Sequence, residues 1–505
     1  MQIEKRLCKY GADCYRQNPA HFQEFKHPTG NTKKFKRSLC NENSSQTAKN
    51  IKLEDYDSLS LNFHFKLTRV ERLPEKTDNK DSVTLAELLR LHSCLQSSAH
   101  FNYMFDIQWL LSHYPESCIN KPLLIIHGFQ SREKSQLHEM CVNYPNISLA
   151  QASLPMPYGT HHTKMMLLLF SEGLRVVIHT ANMVPNDWAQ KTQGVWTSPL
   201  LPPLDDQSSS AETTSSSTTI NSESRNRFQH DLLDYLRAYK LNSLNSWIET
   251  VKSHDCSAVK VRLVGSVPGR FSGDSIQKWG HMRLRNLLEQ NKGHISTEKT
   301  DSMSVVAQFS SIGSLGASAD KWLTSEFLHS LSSPRLSPQR GSSQRAELKL
   351  VFPSVDDVRC SLEGYAGGTC LPYSSQVANK QPWLTSFMHR WMSVRRGRSR
   401  ACPHIKTYAA ISSDNQHLKW LLLTSANLSK AAWGLLEKNG SQLMIRSYEL
   451  GVLFTPQESD QKMSTSLLPF DYPLQKYSPN DKPWIVNENH DTLPDSHGNI
   501  WCPNS

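Results

Sequence analysis

The chain has 505 residues, with 56 Lys and Arg against 46 Asp and Glu, a formal net charge of +10 and 38% hydrophobic residues. That length suits two core-bearing domains plus small appendages, and the basic balance favours a polyanionic partner, either nucleic acid or an acidic membrane face. No apolar run approaches the roughly 18 residues of a membrane span, the opening MQIEKRLCKYG lacks the apolar core of a secretory signal, and eleven scattered Cys, an odd number, point to reduced, buried thiols rather than a disulfide framework.

Residues 4–29 come first. Cys8, Cys14, His21 and His27 put two soft thiolates and two imidazoles into a segment too short to bury a core. A structural Zn²⁺ would supply its folding free energy, and Cys₂His₂ is a donor set zinc prefers. The central gap is too short for the recognition helix of a DNA-reading finger. The pattern R-x-C-x-Y-G-x-x-C-Y-R-x-x-P-x-H-x5-H-P closely resembles the poly(ADP-ribose)-binding (PBZ) zinc finger. The resemblance implies that Tyr10, Tyr15 and Arg16 hold an ADP-ribose unit, consistent with adenine stacking on aromatic rings and Arg gripping phosphate. Residues 30–80 are polar, carry Lys33, Lys34, Lys36 and Arg37, and read as a flexible linker that could double as a nuclear address.

Globular patterning starts near residue 81. Ser82 to Leu95 reads as helical, a short helix surrounds Trp109, and Pro122 to His127 is a buried strand. Residues 205–225, almost all Ser, Thr and acidic, read as a disordered surface loop. Helical periodicity returns from Phe228 to Ile248. Val259 to Val264 is a strand, and the turn cluster Gly265 to Gly269 marks a boundary between a first domain, 81–265, and a second, 266–505. Val305 to Gly316 is a strand running into a Ser/Gly loop whose N–H groups and hydroxyls could reach a phosphate. The run Arg395, Arg396, Arg398, Arg400 could hold a backbone phosphate or be solvated. The tail from 456 is expected to lie irregularly over the second domain.

One pattern occurs twice. His162-Thr163-Lys164 precedes apolar runs Met165 to Phe170 and Leu174 to Ile178, then Thr180-Ala181-Asn182, with Trp188 six past the Asn. His404-Ile405-Lys406 precedes the apolar run Trp420 to Leu423, then Ser425-Ala426-Asn427, with Trp433 six past the Asn. In extended chain, His and Lys two apart share a face. His-x-Lys alone carries little: His64-Phe65-Lys66 and His417-Leu418-Lys419 also occur, without the Asn and Trp. The repeat implies an α/β chain in which each half is a mixed sheet sandwiched by helices and the two sets meet at a shared site. Two imidazoles would flank one phosphorus, one attacking and one protonating the leaving oxygen, while two Lys and two Asn stabilise charge on the non-bridging oxygens without a catalytic metal.

The paired sets resemble the phospholipase D superfamily, whose fold is two pseudo-twofold-related αβα sandwiches. Most members carry an Asp four residues after the Lys; Leu168 and Ala410 stand there instead. That departure, with GTHHTKMM, FSSIGSLG, PHIKTY and TSANLSKAAWG, closely resembles the tyrosyl-DNA phosphodiesterase family. The resemblance implies hydrolysis of the bond between a topoisomerase tyrosine and a DNA 3′ phosphate through a phosphohistidine. It implies His162 as nucleophile and His404 as general acid, then base. Lys164, Lys406, Asn182 and Asn427 form the oxyanion cage; Glu449 orients His162 and Gln193 orients His404. A carboxylate would raise the basicity of His162, and a neutral amide would leave His404 free to give up its proton. Tyr103, Tyr158, Ser311 and Ser429 match positions that contact DNA or phosphate. Implied partners are single- and double-stranded DNA with blocked 3′ ends, topoisomerase-derived peptide and poly(ADP-ribose), with no membrane. A monomer is expected, in the nucleus, with cytoplasm and mitochondrion left open. Two other classes remain: a phospholipase D-type lipid phosphodiesterase, against which stands the lack of an amphipathic anchor or lipidation motif, and a non-catalytic reader of poly(ADP-ribose) and DNA.

Overall fold

The computed structural model describes residues 6–7, 25–26, 64–91, 94–204, 227–290, 303–332, 346–456 and 462–503. The zinc-ligand candidates Cys8, Cys14, His21 and His27, the aromatic and Arg positions Tyr10, Tyr15 and Arg16, and the Ser-rich loop 205–225 lie outside them. From the N-terminal segment, β1 (Arg6–Leu7) and β2 (Phe25–Lys26) pair in parallel.

The rest of the fold is built from short apolar strands, many of them buried on both faces. The first half contributes β3 (Lys66–Leu67), β4 (Leu95–Phe101), β5 (Leu123–His127), β6 (Ile147–Gln151), β7 (Met165–Phe170), β8 (Gly173–His179) and β9 (Gly194–Thr197). The second contributes β10 (Arg262–Ser266), β11 (Gly269–Ser272), β12 (Ser304–Gln308), β13 (Glu347–Val351), β14 (Met388–His389), β15 (Thr407–Ile411), β16 (His417–Thr424), β17 (Leu435–Glu437), β18 (Gln442–Ile445), β19 (Glu449–Phe454) and β20 (Met463–Ser464).

The first sheet runs β3-β9-β8-β7-β4-β5-β6; the second runs β10-β19-β16-β15-β12-β13-β14, with β20 beside β16. In the first, β4, β5 and β6 are mutually parallel and every other neighbour is antiparallel. In the second, β12, β13 and β14 are mutually parallel and the remaining neighbours along that path are antiparallel. Seven strands therefore correspond one to one in order and polarity. β11, β18 and β17 form a separate small sheet.

Alternation sends each sheet's two faces to different cores. Met165 and Leu167 of β7 join Leu421 and Leu423 of β16 in one core between the sheets. Met166, Leu168 and Phe170 instead meet the helices Leu85–Leu89 and Ile107–Ser112. Trp420 and Leu422 meet Leu284, Leu287 and Leu288 of the helix Gly280–Gln290. Each such side chain, fully buried, contributes about 1.5–3 kcal/mol. Thr84 and Glu87 close a capping box on the first helix, and Asp106 caps the second by accepting from Trp109 N–H at 3.0 Å.

Three expectations need correction. The 30–80 linker is too long: Phe65, Leu67 and Val70 are buried, and β3 pairs with Gly194 and Val195 at the sheet edge. The boundary at 265/266 falls too late, because β10 runs through Gly265 and Ser266 and pairs with β19 of the second sheet. The arginine run serves packing. Buried Arg398 donates to Thr68 O at 3.3 Å and Asn79 Oδ1 at 3.1 Å, tying the first residues of the sheet-bearing fold to the second half. Arg395 and Arg396 donate to backbone carbonyls, including that of Ser466 at 2.8 Å from Arg396. The tail behaves as expected, with Trp484 fully buried and its indole N–H donating to Gly368 O at 2.9 Å.

The halves pack closely at Gly194, where an added Cβ would lie 2.5 Å from Leu423 Cδ1 and 2.8 Å from Ile405 Cδ1. Gly194→Val should therefore overpack the seam and lower stability by about 1–3 kcal/mol, read by thermal or urea unfolding. Unchanged stability would contradict so tight an approach.

Candidate active site

The two His-x-Lys segments lead into β7 and β15, and each is fixed by backbone pairing with the opposite half. His162 N–H donates to Tyr448 O at 3.0 Å, and Tyr448 N–H donates to Thr160 O at 2.9 Å. His404 and Ile405 N–H both donate to Thr192 O, at 3.0 and 2.8 Å, and Thr192 N–H donates to Cys402 O at 3.0 Å. Tyr448 and Thr192 each stand one residue before the side chain that meets a ring. Glu449 Oε2 lies 2.9 Å from His162 Nδ1, and Gln193 Nε2 lies 2.8 Å from His404 Nδ1. Those two side chains are held in turn by hydroxyls at matching positions. Ser425 Oγ donates to the Glu449 carboxylate, and Thr180 Oγ1 donates to Gln193 Oε1 at 2.7 Å.

The remaining members are equally regular. Lys164 and Lys406 are fully buried, and each donates to the carbonyl of its own His, Lys164 at 3.1 Å. Asn427 Oδ1 accepts from Ser310 N–H at 3.0 Å, Ser311 N–H at 2.9 Å and Ser310 Oγ at 3.2 Å. With its oxygen saturated, the amide has its NH₂ left for an anion. Ser311 thus joins the site through its backbone, its Oγ donating to Pro372 O at 3.2 Å. Ser429, two past Asn427, caps the helix Lys430–Trp433 by accepting from Ala432 N–H at 3.1 Å. The Tyr103 ring sits edge-on to His162 at 5.5 Å, with Lys164 Nζ 5.8 Å from its centroid. Tyr158 is 91% exposed and adopts φ +59°, a costly backbone for an aromatic residue. His161 faces away, its ring nitrogens 3.1 Å from Asn102 O and 3.0 Å from Tyr239 Oη.

Burial and crowding of positive charge set the protonation states. Burial, then Lys406, pushes Lys164 down to about 7; burial pushes Lys406 down to about 8, against the pull of Asp187. Burial, then Lys406, pushes His404 down to about 3. His162 is also lowered by burial, although Glu449 pulls it the other way. Burial alone would raise the Glu449 carboxyl; His162, Ser425 and Lys164 outweigh it and hold the group ionised. The arrangement thus gathers basic groups that an anion would stabilise, with a lysine and an imidazole contributed by each half. Among the described residues no group of three or more His, Cys, Asp or Glu is placed to hold a metal ion.

Of the expected site residues, His162 meets Glu449 and His404 meets Gln193. Lys164 and Lys406 lie within electrostatic reach of each other and of both rings. Asn182 is tied to His404 through Asp187, and Asn427 is fixed against Ser310 and Ser311. One was missed. Asp187 Oδ2 lies 3.1 Å from His404 Nδ1 and accepts from Asn182 N–H at 2.6 Å. His404 therefore faces a carboxylate as well as a neutral amide, which corrects the asymmetry expected between the two rings. The available signal was the aligned repeat: five residues past each Asn stand Asp187 and Ala432.

Residues 64–478 match the tyrosyl-DNA phosphodiesterase family, and residues 5–30 match the PBZ domain. The chain belongs to the tyrosyl-DNA phosphodiesterase family. It is 39% identical to tyrosyl-DNA phosphodiesterase 1 of Drosophila melanogaster over 80% of this chain and 70% of that one. It is 40% identical to the probable tyrosyl-DNA phosphodiesterase of Caenorhabditis elegans over 81% and 85%. The crystal structure of the yeast enzyme superposes with a TM-score of 0.64 at 21% identity, covering 84% of this chain and all of that one, and so shares the fold. Membership makes this chain a phosphodiester hydrolase of DNA repair carrying a PBZ zinc finger.

The depressed lysines give a test. From about pH 7 to 10 the unfolded chain binds more protons at these positions than the folded one, so this contribution to stability rises with pH. A bound oxyanion reverses the depression. Sulfate, whose charge is constant here, should bind more tightly as pH falls from 9 to 7, with proton uptake at pH 8 seen by calorimetry in two buffers. Proton-neutral, pH-independent binding would contradict the assignment.

Proposed function

We propose that the enzyme hydrolyses 3′-phosphotyrosyl bonds and related 3′-end adducts on DNA through a covalent phosphohistidine on His162. The observation that carries this is the cross-seam arrangement: each imidazole is aimed by a side chain of the other half, with a buried lysine beside each ring. In the first step the His162 Nε2 lone pair forms the P–N bond as the P–O bond to tyrosine breaks, and His404, whose imidazolium the bound phosphodiester anion stabilises against the two lysines, supplies the phenol's proton. Tyrosine has an unperturbed pKa near ~10, so that proton matters at neutral pH. Neutral His404 then takes a proton from water as its oxygen attacks phosphorus, and the P–N bond breaks. Lys164, Lys406, Asn182 and Asn427 hold the non-bridging oxygens through both steps, filling the place of a metal.

The same reading relates the two αβα halves by a pseudo-twofold through the site, supported by the matched strand order. Tyr103, Tyr158, Ser311 and Ser429 contact single- or double-stranded DNA near its blocked 3′ end, with Tyr158 offering an exposed ring to a base. Residues 4–29, with structural Zn²⁺ on Cys8, Cys14, His21 and His27, recruit the enzyme to poly(ADP-ribose) in the nucleus, a reading supported by the PBZ match. The protein acts as a monomer.

The test is a 3′-phosphotyrosyl oligonucleotide incubated with the protein in EDTA, in which tyrosine should be released over many turnovers. Binding without turnover would leave a reader of DNA rather than an enzyme. His404→Ala should accumulate a protein–DNA adduct with phosphate on His162 by mass spectrometry, and adduct persisting in His162→Ala would reverse the roles. Tyr158→Ala should raise KM for single-stranded substrate by about tenfold, as loss of one stacked base implies, with kcat little changed.

A further inference from the structure

The reciprocal arrangement leaves one residue unaccounted for. Asp187 has no counterpart in the second set, where Ala432 stands at its position. Its carboxylate is buried, and one oxygen both accepts from Asn182 N–H at 2.6 Å and lies 3.1 Å from His404 Nδ1. That oxygen therefore joins an oxyanion-cage residue of the first half to the imidazole of the second. A carboxylate held ionised can only accept a hydrogen bond. Burial alone would raise its pKa, but His404, the Asn182 N–H and Lys406 together hold it well below the usual carboxylate range.

We infer that Asp187 is the positioning residue that holds a proton on His404 Nδ1, so that Nε2 is the nitrogen that gives and takes protons at the substrate. This rests on the phosphohistidine reading above. When protonated, His404 has N–H at both nitrogens, Nδ1–H donating to Asp187 and Nε2–H aimed at the leaving oxygen. After Nε2 gives up its proton, the ring keeps the Nδ1 proton, and its bare Nε2 can accept from the attacking water. Were the proton instead left on Nε2, the second step would have no base. A neutral imidazole bonded only to the Gln193 NH₂ group, now 2.8 Å from Nδ1, would be in that second condition. With Nδ1 protonated, the Gln193 amide turns its oxygen to the ring and its NH₂ to Thr180 Oγ1, which has lone pairs to receive it.

Among the described residues, the charged groups that act most strongly on His404 are Lys406 from its own segment, Asp187, and Lys164 from the first half. Both lysines disfavour the imidazolium, and Asp187 favours it. In the substrate complex the phosphodiester anion raises the His404 pKa against the two lysines; removing the carboxylate lowers it again, and an enzyme that needs protonated His404 loses activity as pH rises through that value. The alkaline limb of kcat for a 3′-phosphotyrosyl substrate therefore moves to lower pH in Asp187→Asn.

The experiment compares wild type, Asp187→Asn and Asp187→Glu on oligonucleotides carrying 3′-phosphotyrosine or 3′-p-nitrophenyl phosphate, across pH 5–9. Asp187→Asn should lose about 10- to 100-fold in kcat on the tyrosyl substrate, at the lower end of general-acid effects. It should lose far less on the nitrophenyl substrate, whose better leaving group needs little protonation. Asp187→Glu should recover part of the tyrosyl rate. Equal losses on both substrates with an unmoved alkaline limb would mean that Asp187 only supports Asn182, and would overturn the inference. No loss in Asp187→Asn would overturn it as well. An inactive wild type would instead sink the phosphodiesterase reading itself, so the two failures are distinguishable.

Discussion

Each imidazole of this site is carried by one half of the chain and aimed by the other. Glu449, opening β19, reaches His162 before β7; Gln193, just before β9, reaches His404 before β15. The backbone hydrogen bonds of Tyr448 and Thr192 make the same exchange one residue earlier. A hydrogen bond of this kind contributes only about 1 kcal/mol net to stability, so the seam is not held chiefly by polar contacts. The mixed core of Met165, Leu167, Leu421 and Leu423 supplies the larger share, and the polar exchange fixes which atoms meet.

That division explains how the site tolerates its charge. Two ammonium groups and two imidazoles share a buried volume, and burial together with their mutual repulsion lowers their affinities for protons. Asp187 and Glu449 are the carboxylates that offset this charge from within. The cage is therefore electrostatically complementary to an anion. Interactions that strengthen only as charge develops on the substrate favour the transition state over the ground state.

Much of the site was legible because its chemistry is repeated in the chain. The order His-x-Lys, apolar strand, small-Ala-Asn and then Trp six past the Asn occurs at Lys164, Asn182 and Trp188 and again at Lys406, Asn427 and Trp433, and coincidence at every one of those residues is improbable. The strands β5, β7 and β16 were readable as apolar runs. What escaped was set by tertiary context. β3 is two residues long and pairs at an edge, so its flanking polar residues hide it. β10 passes through a Gly-Ser pair that reads as a turn, yet Gly265 is required where the rings of Tyr235 and Trp279 press against it. Arg398 belongs to a run that looks solvated, and only its carbonyl acceptors on the far segment show it as a cross-link. Asp187 sits on a helix of five residues whose direction no periodicity reveals.

The account depends on one anion being shared by both halves. The most direct measurement is a crystal structure of the protein with vanadate, a tyrosine-containing peptide and a short oligonucleotide, since vanadate adopts the five-coordinate geometry of a transferring phosphorus. A single vanadium should appear with His162 Nε2 at one apex, the tyrosine oxygen and His404 Nε2 on the opposite side, and both lysine Nζ atoms within about 2.7–3.2 Å of its equatorial oxygens. Vanadate bound within one half alone, with the other lysine and imidazole out of reach, would contradict it.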